Sequence, residues 1–259
     1  MKTERFEIQQ DGLTIKGKHY IPERRLGSPV ILSHEFGLNM LSAARYARPL
    51  CAAGFSVYVF DFSGSGSGIS RGRSSRDMSV LTEKEDLSLV LDEVKARERC
   101  QRVILGGCSQ GGLVTALLAA ERADEVESVF LVYPALSIPD DARRGSMLGS
   151  RIDPEHIPER FTVMGYVHLG ARYVADARSL DPWAEIRTYS RPVLLLHGTA
   201  DGMVDVCYSR KAAKEYPNAE MIEIEGGRHL FLQPTTVQFA TEQIIRFLEE
   251  KSQNNGGRI

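Results

Sequence analysis

Apolar and polar positions along the chain follow two periods, and their order predicts strands that alternate with helices. The stretches RFEIQQ and LTIKGKHYI are joined by Asp11-Gly12, a strong hairpin signal, so two antiparallel strands are expected at the start. SPVILSH is continuously apolar, as in a strand buried on both faces. Residues 40–53 then have the spacing of a helix, which is expected to end at Gly54.

This strand–helix unit recurs along the chain. Further strands are predicted at FSVYVFDF, RVILGG, SVFLVYPA, RPVLLLHG and AEMIEIEG, and further helices over residues 81–97, 110–122, 208–216 and 236–251. Such alternation predicts an α/β fold with a mostly parallel sheet of about eight strands and helices on both faces.

Residues 137–186 break this rhythm. They show no strand–helix pair, are rich in Pro, Asp, Arg and His, and are too many for an ordinary connection. We expect them to form a small inserted cap over one end of the sheet. The predicted organisation is therefore a core of residues 1–136 and 187–259 with a cap or lid of residues 137–186.

Composition and charge exclude several classes of partner. The 32 basic and 34 acidic residues contain no long run of like charge that would attract nucleic acid or anionic lipid. Apolar runs are too short to span a bilayer, and the first ten residues lack the apolar core of a signal peptide. The four cysteines are scattered and the six histidines form no H-x-x-x-H pair. We expect a cytoplasmic protein without metal, nucleic-acid or membrane partners, and a homodimer stays open.

A glycine-rich turn follows the strand RVIL and contains two candidate nucleophiles, Cys108 and Ser109. A sharp strand-to-helix turn requires very small residues two positions to either side of its centre, as in G-x-S-x-G. Centring the turn on Ser109 places Gly107 and Gly111 at those positions, whereas centring it on Cys108 places Gln110 at one of them. The sequence therefore predicts Ser109 as the nucleophile and Cys108 as a packed neighbour.

A serine nucleophile needs a base and an orienting acid, which follow it in the order Asp, His in this type of fold. Asp201 comes after the strand RPVLLLHG, and His229 comes after the next strand. Asp205 is the competing acid, but its position near a predicted helix start favours a capping role. His34 and His197 end strands and are predicted to support loops by hydrogen bonds.

The stretch FSGSGSGIS, residues 62–70, partly imitates a dinucleotide-binding fingerprint. Its Gly64, Gly66 and Gly68 lack the last interval of G-x-G-x-x-G, no GK[ST] follows, and the next predicted helix begins about a dozen residues later. A Gly-Ser loop beside the catalytic strand is the better interpretation, and no cofactor is predicted.

Several stretches together make the chain similar to the α/β-hydrolase superfamily, and within it to the bacterial cinnamoyl/feruloyl esterase-like group. They are DFSGSGSG, RDMSVLTEKEDL, GGCSQGG, DPEHIPER, HGTADGMV and EGGRH. The resemblance implies that Ser109 attacks an ester carbonyl, His229 transfers the proton, and Asp201 orients the imidazole. It also implies an oxyanion hole formed by the backbone N–H groups of Phe36 and Gln110.

The resemblance implies substrate contacts as well. By position, Asp141 and Tyr173 match cap residues that hold aromatic hydroxyls in feruloyl esterases, whereas Leu148 stands where a Gln is expected. Glu35 stands where the oxyanion loop usually has Gly. A carboxylate beside the developing oxyanion would oppose it, so Glu35 is expected to point away or to pair with a basic group. Glu35 is also a candidate substrate contact. SHEFGLN is similar to the glutamate-bearing loop of dienelactone hydrolases, which use a cysteine nucleophile.

Four functions therefore stay open. The leading one is a cofactor-free serine esterase that acts on a small-molecule ester with a small or aromatic acyl group. Acyl-peptide hydrolase or aminopeptidase activity is a second, since the same groups cleave amides, and dienelactone-hydrolase-like activity is a third. The fourth is a non-catalytic binding scaffold, against which an intact triad argues.

Overall fold

An eight-stranded sheet forms the centre of the protein, and the computed structural model describes residues 1–65 and 67–255. Its order is β1-β2-β4-β3-β5-β6-β11-β12. The first two strands are antiparallel to their neighbours, and the other six run parallel. The strands are β1 (Lys2–Gln10), β2 (Leu13–Ile21), β3 (Val30–Ser33), β4 (Val57–Phe60), β5 (Val103–Cys108), β6 (Val126–Val132), β11 (Val193–Gly198) and β12 (Ala219–Ile224).

The predicted fold class, a mostly parallel sheet between helices, is confirmed. The opening hairpin is also confirmed: β1 pairs with β2 through a turn in which Asp11 and Gly12 have φ of 48° and 81°. Glycine adopts such positive φ without strain and Asp tolerates it, which explains why this dipeptide sets the register of the two strands.

Helices cover both faces of the sheet. Helices α1 and α8 pack on one face, and α2, α3 and α7 pack on the other. Each face of the sheet has its own hydrophobic core. Successive strand residues point to opposite faces, so that Ile104 belongs to the core under α1 and α8, and Leu105 to the core under α2, α3 and α7. The helices of the sheet layers are α1 (Met40–Ala52), α2 (Val80–Glu98), α3 (Gln110–Glu121), α7 (Cys207–Glu215) and α8 (Pro234–Asn255).

Residues 137–186 form short elements whose strands stay outside the central sheet. These are α4 (Ile138–Arg144), β7 (Ser146–Met147), β8 (Ser150–Arg151), β9 (Arg160–Val163), β10 (Val167–Gly170), α5 (Ala171–Ser179) and α6 (Pro182–Ile186). The sequence suggested no strand–helix pair here, yet β10 leads directly into α5. Strands of two to four residues are too short for an alternating pattern to reveal them.

The parallel direction of β3, β5, β11 and β12 brings the loops that follow them to one edge of the sheet. In open parallel sheets the crevice beyond the carboxyl ends of the strands is the usual place for a ligand. These loops carry all three residues of the predicted triad.

Candidate active site

Ser109 occupies a strained turn between β5 and α3. Its φ of 51° and ψ of −121° lie outside the regions that ordinary residues prefer. A Cβ built on Gly107 would come within 2.3 Å of the carbonyl oxygen of Gly111, and one built on Gly111 within 2.4 Å of the carbonyl oxygen of His34. Only glycine fits at these two positions, as the spacing argument predicted, and the turn exposes the Ser109 hydroxyl to a cavity.

Cys108, the other candidate nucleophile, lies at the end of β5 with its thiol in the interior. The residue is 4% exposed, and burial raises the pKa of its thiol well above the usual value. A nucleophilic cysteine requires the opposite, an accessible thiol with a lowered pKa. The structure thus assigns Cys108 the packing role predicted for it.

Asp201 lies in the loop after β11 and is held by several donors. Its Oδ1 accepts hydrogen bonds from the backbone N–H groups of Met203 and Val204 at 2.9 and 3.0 Å. Burial alone would raise the pKa of Asp201, but interactions with His197 and His229 outweigh it, so the pKa lies below its usual value. The carboxylate is therefore charged over the whole physiological pH range.

His229 joins the other two residues of the predicted triad. Its Nδ1 lies 2.7 Å from Asp201 Oδ2, and its Nε2 lies 3.0 Å from Ser109 Oγ. The Tyr133 ring packs against the imidazole with 4.8 Å between centroids. Three residues far apart in sequence thus form one hydrogen-bonded chain, in which a proton can pass from the hydroxyl to the imidazole.

Two histidines and one acid form hydrogen bonds of the supporting kind that the sequence predicted. His34 Nε2 accepts from the backbone N–H of Phe62 at 3.2 Å. His197 Nδ1 lies 2.6 Å from Ser209 Oγ. Asp205 Oδ1 accepts from the backbone N–H of Cys207 at 2.8 Å just before α7, but the N-cap residue of this helix is Val206 and not Asp205 as predicted.

A cavity of about 470 Å³ opens above Ser109. Its size is in the range of small-molecule sites. Much of its wall comes from residues 137–186. The lining residues are Phe36, Ser109, Gln110, Ala135, Ser137, Ile138, Asp141, Ser146, Leu148, Gly149, Met164, Gly202, Met203, Val204 and His229. The methionines Met164 and Met203 were not singled out in the sequence, because an isolated Met in a loop carries no pattern that distinguishes a pocket from a core.

Phe36 and Gln110, the residues predicted to supply the oxyanion hole, both line this cavity beside Ser109. Gln110 is the first residue of α3, so its backbone N–H is one that the helix leaves unpaired. Its side-chain Nε2 donates to Glu83 Oε2 at 2.8 Å. Glu83 was not predicted as part of the site, because nothing in a helical acidic residue indicates that it will be buried.

Tyr173 does not have the predicted role in substrate binding. The residue is fully buried, is absent from the cavity wall, and donates its hydroxyl hydrogen to Gln110 Oε1. Its position in α5 points the ring into the core, where it packs against Phe36. Asp141, by contrast, lines the cavity and forms an ion pair with Arg144 at 2.7 Å. Leu148 also lines the cavity, which gives this wall an apolar character where a Gln was expected.

Glu35 is likewise no substrate contact. Its side chain is 2% exposed and points away from the cavity toward Arg45, whose Nη2 donates to Oε1 at 2.6 Å. Tyr133 donates to the same oxygen at 2.9 Å. A buried carboxylate beside a cation explains why this position takes a glutamate, and it confirms the expected pairing with a basic group.

The Gly-Ser loop after β4 is organised by a carboxylate. Asp61 accepts from the backbone N–H groups of Met40 at 2.6 Å and Ile69 at 2.7 Å. Gly66, one of the three glycines of the nucleotide-like stretch, lies outside the described residues. Within residues 1–65 and 67–255, no cluster of three His, Cys, Asp or Glu side chains is arranged to hold a metal ion. In the same part of the chain, no helix is both long and apolar enough to cross a membrane.

Comparison with known proteins shows the family to which the chain belongs. The sequence profile of the serine aminopeptidase S33 family matches residues 27–182, more than half of the chain. The chain belongs to this family. A structure of Est1E from Butyrivibrio proteoclasticus with bound ferulic acid is 26% identical, has a TM-score of 0.89, and the match covers 95% of this chain and 98% of that one. The suspected resemblance to esterases of the α/β-hydrolase fold is thereby confirmed.

Two relatives are similar in sequence to this member of the S33 family. The uncharacterised protein YqkD of Bacillus subtilis (strain 168) is 22% identical over 222 residues, which are 84% of this chain and 70% of YqkD. Lipase 1 of Psychrobacter immobilis is 32% identical over 110 residues, which are 42% of this chain and 32% of the lipase. Together with the family match, they identify the chain as an α/β-hydrolase of the serine type with esterase-like and lipase-like relatives.

Proposed function

We propose that the protein is a carboxylic ester hydrolase that works through an acyl-enzyme on Ser109. The observation that carries the proposal is the hydrogen-bonded chain from Asp201 through His229 to Ser109, which ends in the cavity. Each part has the contact that its role requires: a base within reach of the hydroxyl, and a charged acid on the other ring nitrogen.

The reaction follows from these positions. Ser109 Oγ attacks the ester carbonyl while its proton moves to His229 Nε2, and Asp201 stabilises the imidazolium. The negative charge on the carbonyl oxygen is stabilised by the backbone N–H groups of Phe36 and Gln110. Collapse of the intermediate breaks the ester C–O bond, and the leaving alcohol takes the proton from the imidazolium. Water then hydrolyses the acyl-enzyme with His229 again as the base.

The lining of the cavity favours an ester substrate with an uncharged or aromatic acyl group. Its apolar wall of Ile138, Leu148, Met164, Met203 and Val204 favours burial of hydrophobic surface. Similarity to Est1E, which was solved with ferulic acid, supports feruloyl or cinnamoyl esters as one class to test. Burial of Tyr173 removes one of the two expected contacts to a phenolic hydroxyl, so we propose that small acyl esters are also hydrolysed.

The test is hydrolysis of acetyl, butyryl and feruloyl esters by the wild type, Ser109→Ala and Cys108→Ala. Loss of the hydroxyl should lower kcat by at least about a thousandfold and abolish labelling by a fluorophosphonate probe. Cys108→Ala is the matched control and should keep both activities, because the thiol is buried outside the cavity. Loss of activity in the cysteine variant instead would favour a dienelactone-hydrolase-like nucleophile, and inactivity of the wild type would favour a binding scaffold.

Aminopeptidase activity is a second candidate, favoured by the family match and by Asp141. This carboxylate lines the cavity and could receive the α-ammonium group of a peptide. Aminoacyl anilides offered beside the ester panel decide between the two. Under this second proposal Asp141→Asn should raise KM for the anilides while it leaves hydrolysis of the acetyl and butyryl esters unchanged, whereas no turnover of anilides by the wild type excludes it.

A further inference from the structure

Glu35 is linked to the loop that carries His229 by a short series of partly buried contacts. The carboxylate pairs with Arg45, which lies on α1. Arg45 uses its other terminal nitrogen, Nη1, to donate to the carbonyl oxygen of Leu230 at 2.7 Å. One guanidinium group thus connects the oxyanion loop with the residue that follows the imidazole in sequence.

The backbone held by Arg45 is strained. Leu230 and Phe231 have φ of 70° and 45°, in the left-handed region that residues with a Cβ rarely adopt. Such a conformation persists only where surrounding contacts fix it. The hydrogen bond to the Leu230 carbonyl is one of these contacts, and the Tyr133 ring, packed on both His229 and Phe231, is another.

Tyr133 belongs to the same network. Its hydroxyl donates to Glu35, and its centroid lies 4.7 Å from that of Phe231. Ser42 Oγ donates to the second carboxylate oxygen of Glu35 at 2.5 Å. Glu35 therefore fixes both groups that hold the His229 loop: the guanidinium that binds its backbone and the aromatic ring that packs on its side chains.

We infer that Glu35 is a positioning residue, which holds His229 in line with Ser109 through Arg45 and Tyr133. The inference rests on the proposed function, because it concerns the same site. It makes the opposite prediction from the view that a carboxylate in this loop opposes the oxyanion. If Glu35 only opposed the oxyanion, Glu35→Gly and Glu35→Gln would raise kcat; if it positions His229, both would lower kcat.

Glu98 provides a matched control because its donors are the same in kind. It accepts hydrogen bonds from Ser56 Oγ at 3.0 Å and Tyr58 OH at 2.6 Å and pairs with Arg25, and its side chain is 5% exposed. Ser56 directly precedes β4, whose amino end lies at the edge of the sheet opposite to the catalytic loops. Glu98→Gln should therefore disturb a buried carboxylate with donors of the same kind without reaching the site, although its partner Arg25 is more exposed than Arg45.

The experiment measures kcat and KM for a p-nitrophenyl ester with Glu35→Gln, Glu35→Gly, Arg45→Lys and Glu98→Gln. We expect the first three to lower kcat about tenfold to a hundredfold, since small misplacements of a catalytic group have effects of this size. KM should change less than about twofold, because no cavity wall is altered. Arg45→Lys keeps the charge but replaces the two terminal nitrogens that bind Glu35 and Leu230 with a single ammonium nitrogen on a flexible stem.

Wild-type or higher kcat in Glu35→Gln or Glu35→Gly would overturn the inference. So would an equal loss in Glu98→Gln, because the effect would then follow stability alone. If the wild type hydrolyses no ester, the proposed function fails by itself, and crystal structures of Glu35→Gly and Glu98→Gln decide the inference. The Ser109 Oγ to His229 Nε2 distance of 3.0 Å should lengthen in the first and stay in the second. An unchanged distance in Glu35→Gly would refute it.

Discussion

Two buried glutamates are linked to different neighbours of Ser109, one to the His229 loop and one to Gln110, and the protein stabilises them in different ways. Glu35, on the His229 side, is paired with the guanidinium of Arg45. Glu83, on the Gln110 side, lies in α2 and interacts with a neutral amide, while the nearby Arg73 pairs with Asp86. A buried carboxylate must be either paired or protonated, and this site contains one example of each.

The difference between the two glutamates appears in the pKa of Glu83. Burial raises the pKa of Glu83 to about 8, and the neighbouring Asp86 adds to the shift, although the hydrogen bond from Gln110 opposes it. Glu83 is therefore mostly protonated at neutral pH. The ion pair on one side of the nucleophile depends on Arg45, whereas the neutral network on the other side depends on pH.

Removal of the Arg45 guanidinium, the partner of Glu35, should have the largest effect on the free energy of unfolding. Arg45→Met leaves the carboxylate of Glu35 buried without its ion-pair partner, which costs about 3 to 5 kcal/mol of unfolding free energy. Urea denaturation at neutral pH measures it. The double variant Glu35→Gln with Arg45→Met should recover part of the loss, since the unpaired charge is gone. Equal instability of the single and double variants would contradict the view that the loss comes from the unpaired carboxylate of Glu35.

The protonated side should show its effect in the pH dependence of stability. Glu83 keeps its proton up to a pH of about 8 in the folded protein but loses it near 4.5 in the unfolded chain. The folded state thus binds more protons between these values, so this group's contribution to stability falls as pH rises, by at most about 1.4 kcal/mol per pH unit. Glu83→Gln removes the contribution, and its stability relative to wild type should increase across this range.

Asp86 titrates in the same region and must be separated from Glu83. Burial raises the pKa of Asp86 to about 6, against the effect of its ion pair with Arg73. Its contribution to stability therefore falls as pH rises from about 4 to about 6 and is constant at higher pH, whereas that of Glu83 continues to fall up to about pH 8. A stability difference between Glu83→Gln and wild type that is constant with pH would show that Glu83 is ionised throughout.

A smaller effect on stability is expected for Tyr173, whose hydroxyl group binds the Gln110 amide on the Glu83 side of the site. Tyr173→Phe removes the donor to Gln110 Oε1 and leaves a buried amide oxygen unsatisfied, at a cost of about 1 kcal/mol. Urea denaturation of this variant and of Tyr166→Phe, whose side chain is 63% exposed, gives the comparison. An equal loss of stability in both variants would mean that the Tyr173 hydroxyl group contributes nothing to stability through Gln110.

The sequence predicted the framework of this site better than its surroundings. The positions of Ser109, Asp201 and His229 followed from strand ends and glycine spacing, because backbone geometry limits which residues are possible there. The surroundings depend on where long side chains point once helices pack. Tyr173 was expected in the substrate cavity, whereas its helix turns the ring into the core toward Gln110.

Arg45 and Glu83 are the opposite case, because they belong to the surroundings of the site but were not predicted from the sequence. Both lie in helices, and neither spacing nor composition distinguishes a charged residue whose side chain will be turned into the protein. Arg45 does follow Ala43 and Ala44 in an apolar part of α1, a weak sign that it faces the protein. Leu230, the other partner of Arg45, and Gln110, the partner of Glu83, lie 185 and 27 residues away in sequence, so only the folded chain shows these contacts.

The smallest effect is expected for an ion pair with the chemistry of Glu35 and Arg45 but on the surface. Glu223 binds Arg210 through two hydrogen bonds of 2.8 and 2.6 Å, yet both side chains are well exposed. In water the pair gains little Coulomb energy and is screened by salt, so Glu223→Gln should leave the urea midpoint unchanged within error. If this variant lost as much stability as Arg45→Met, pairing geometry would matter more than burial. The contrast between the two glutamates beside Ser109 would then need another explanation.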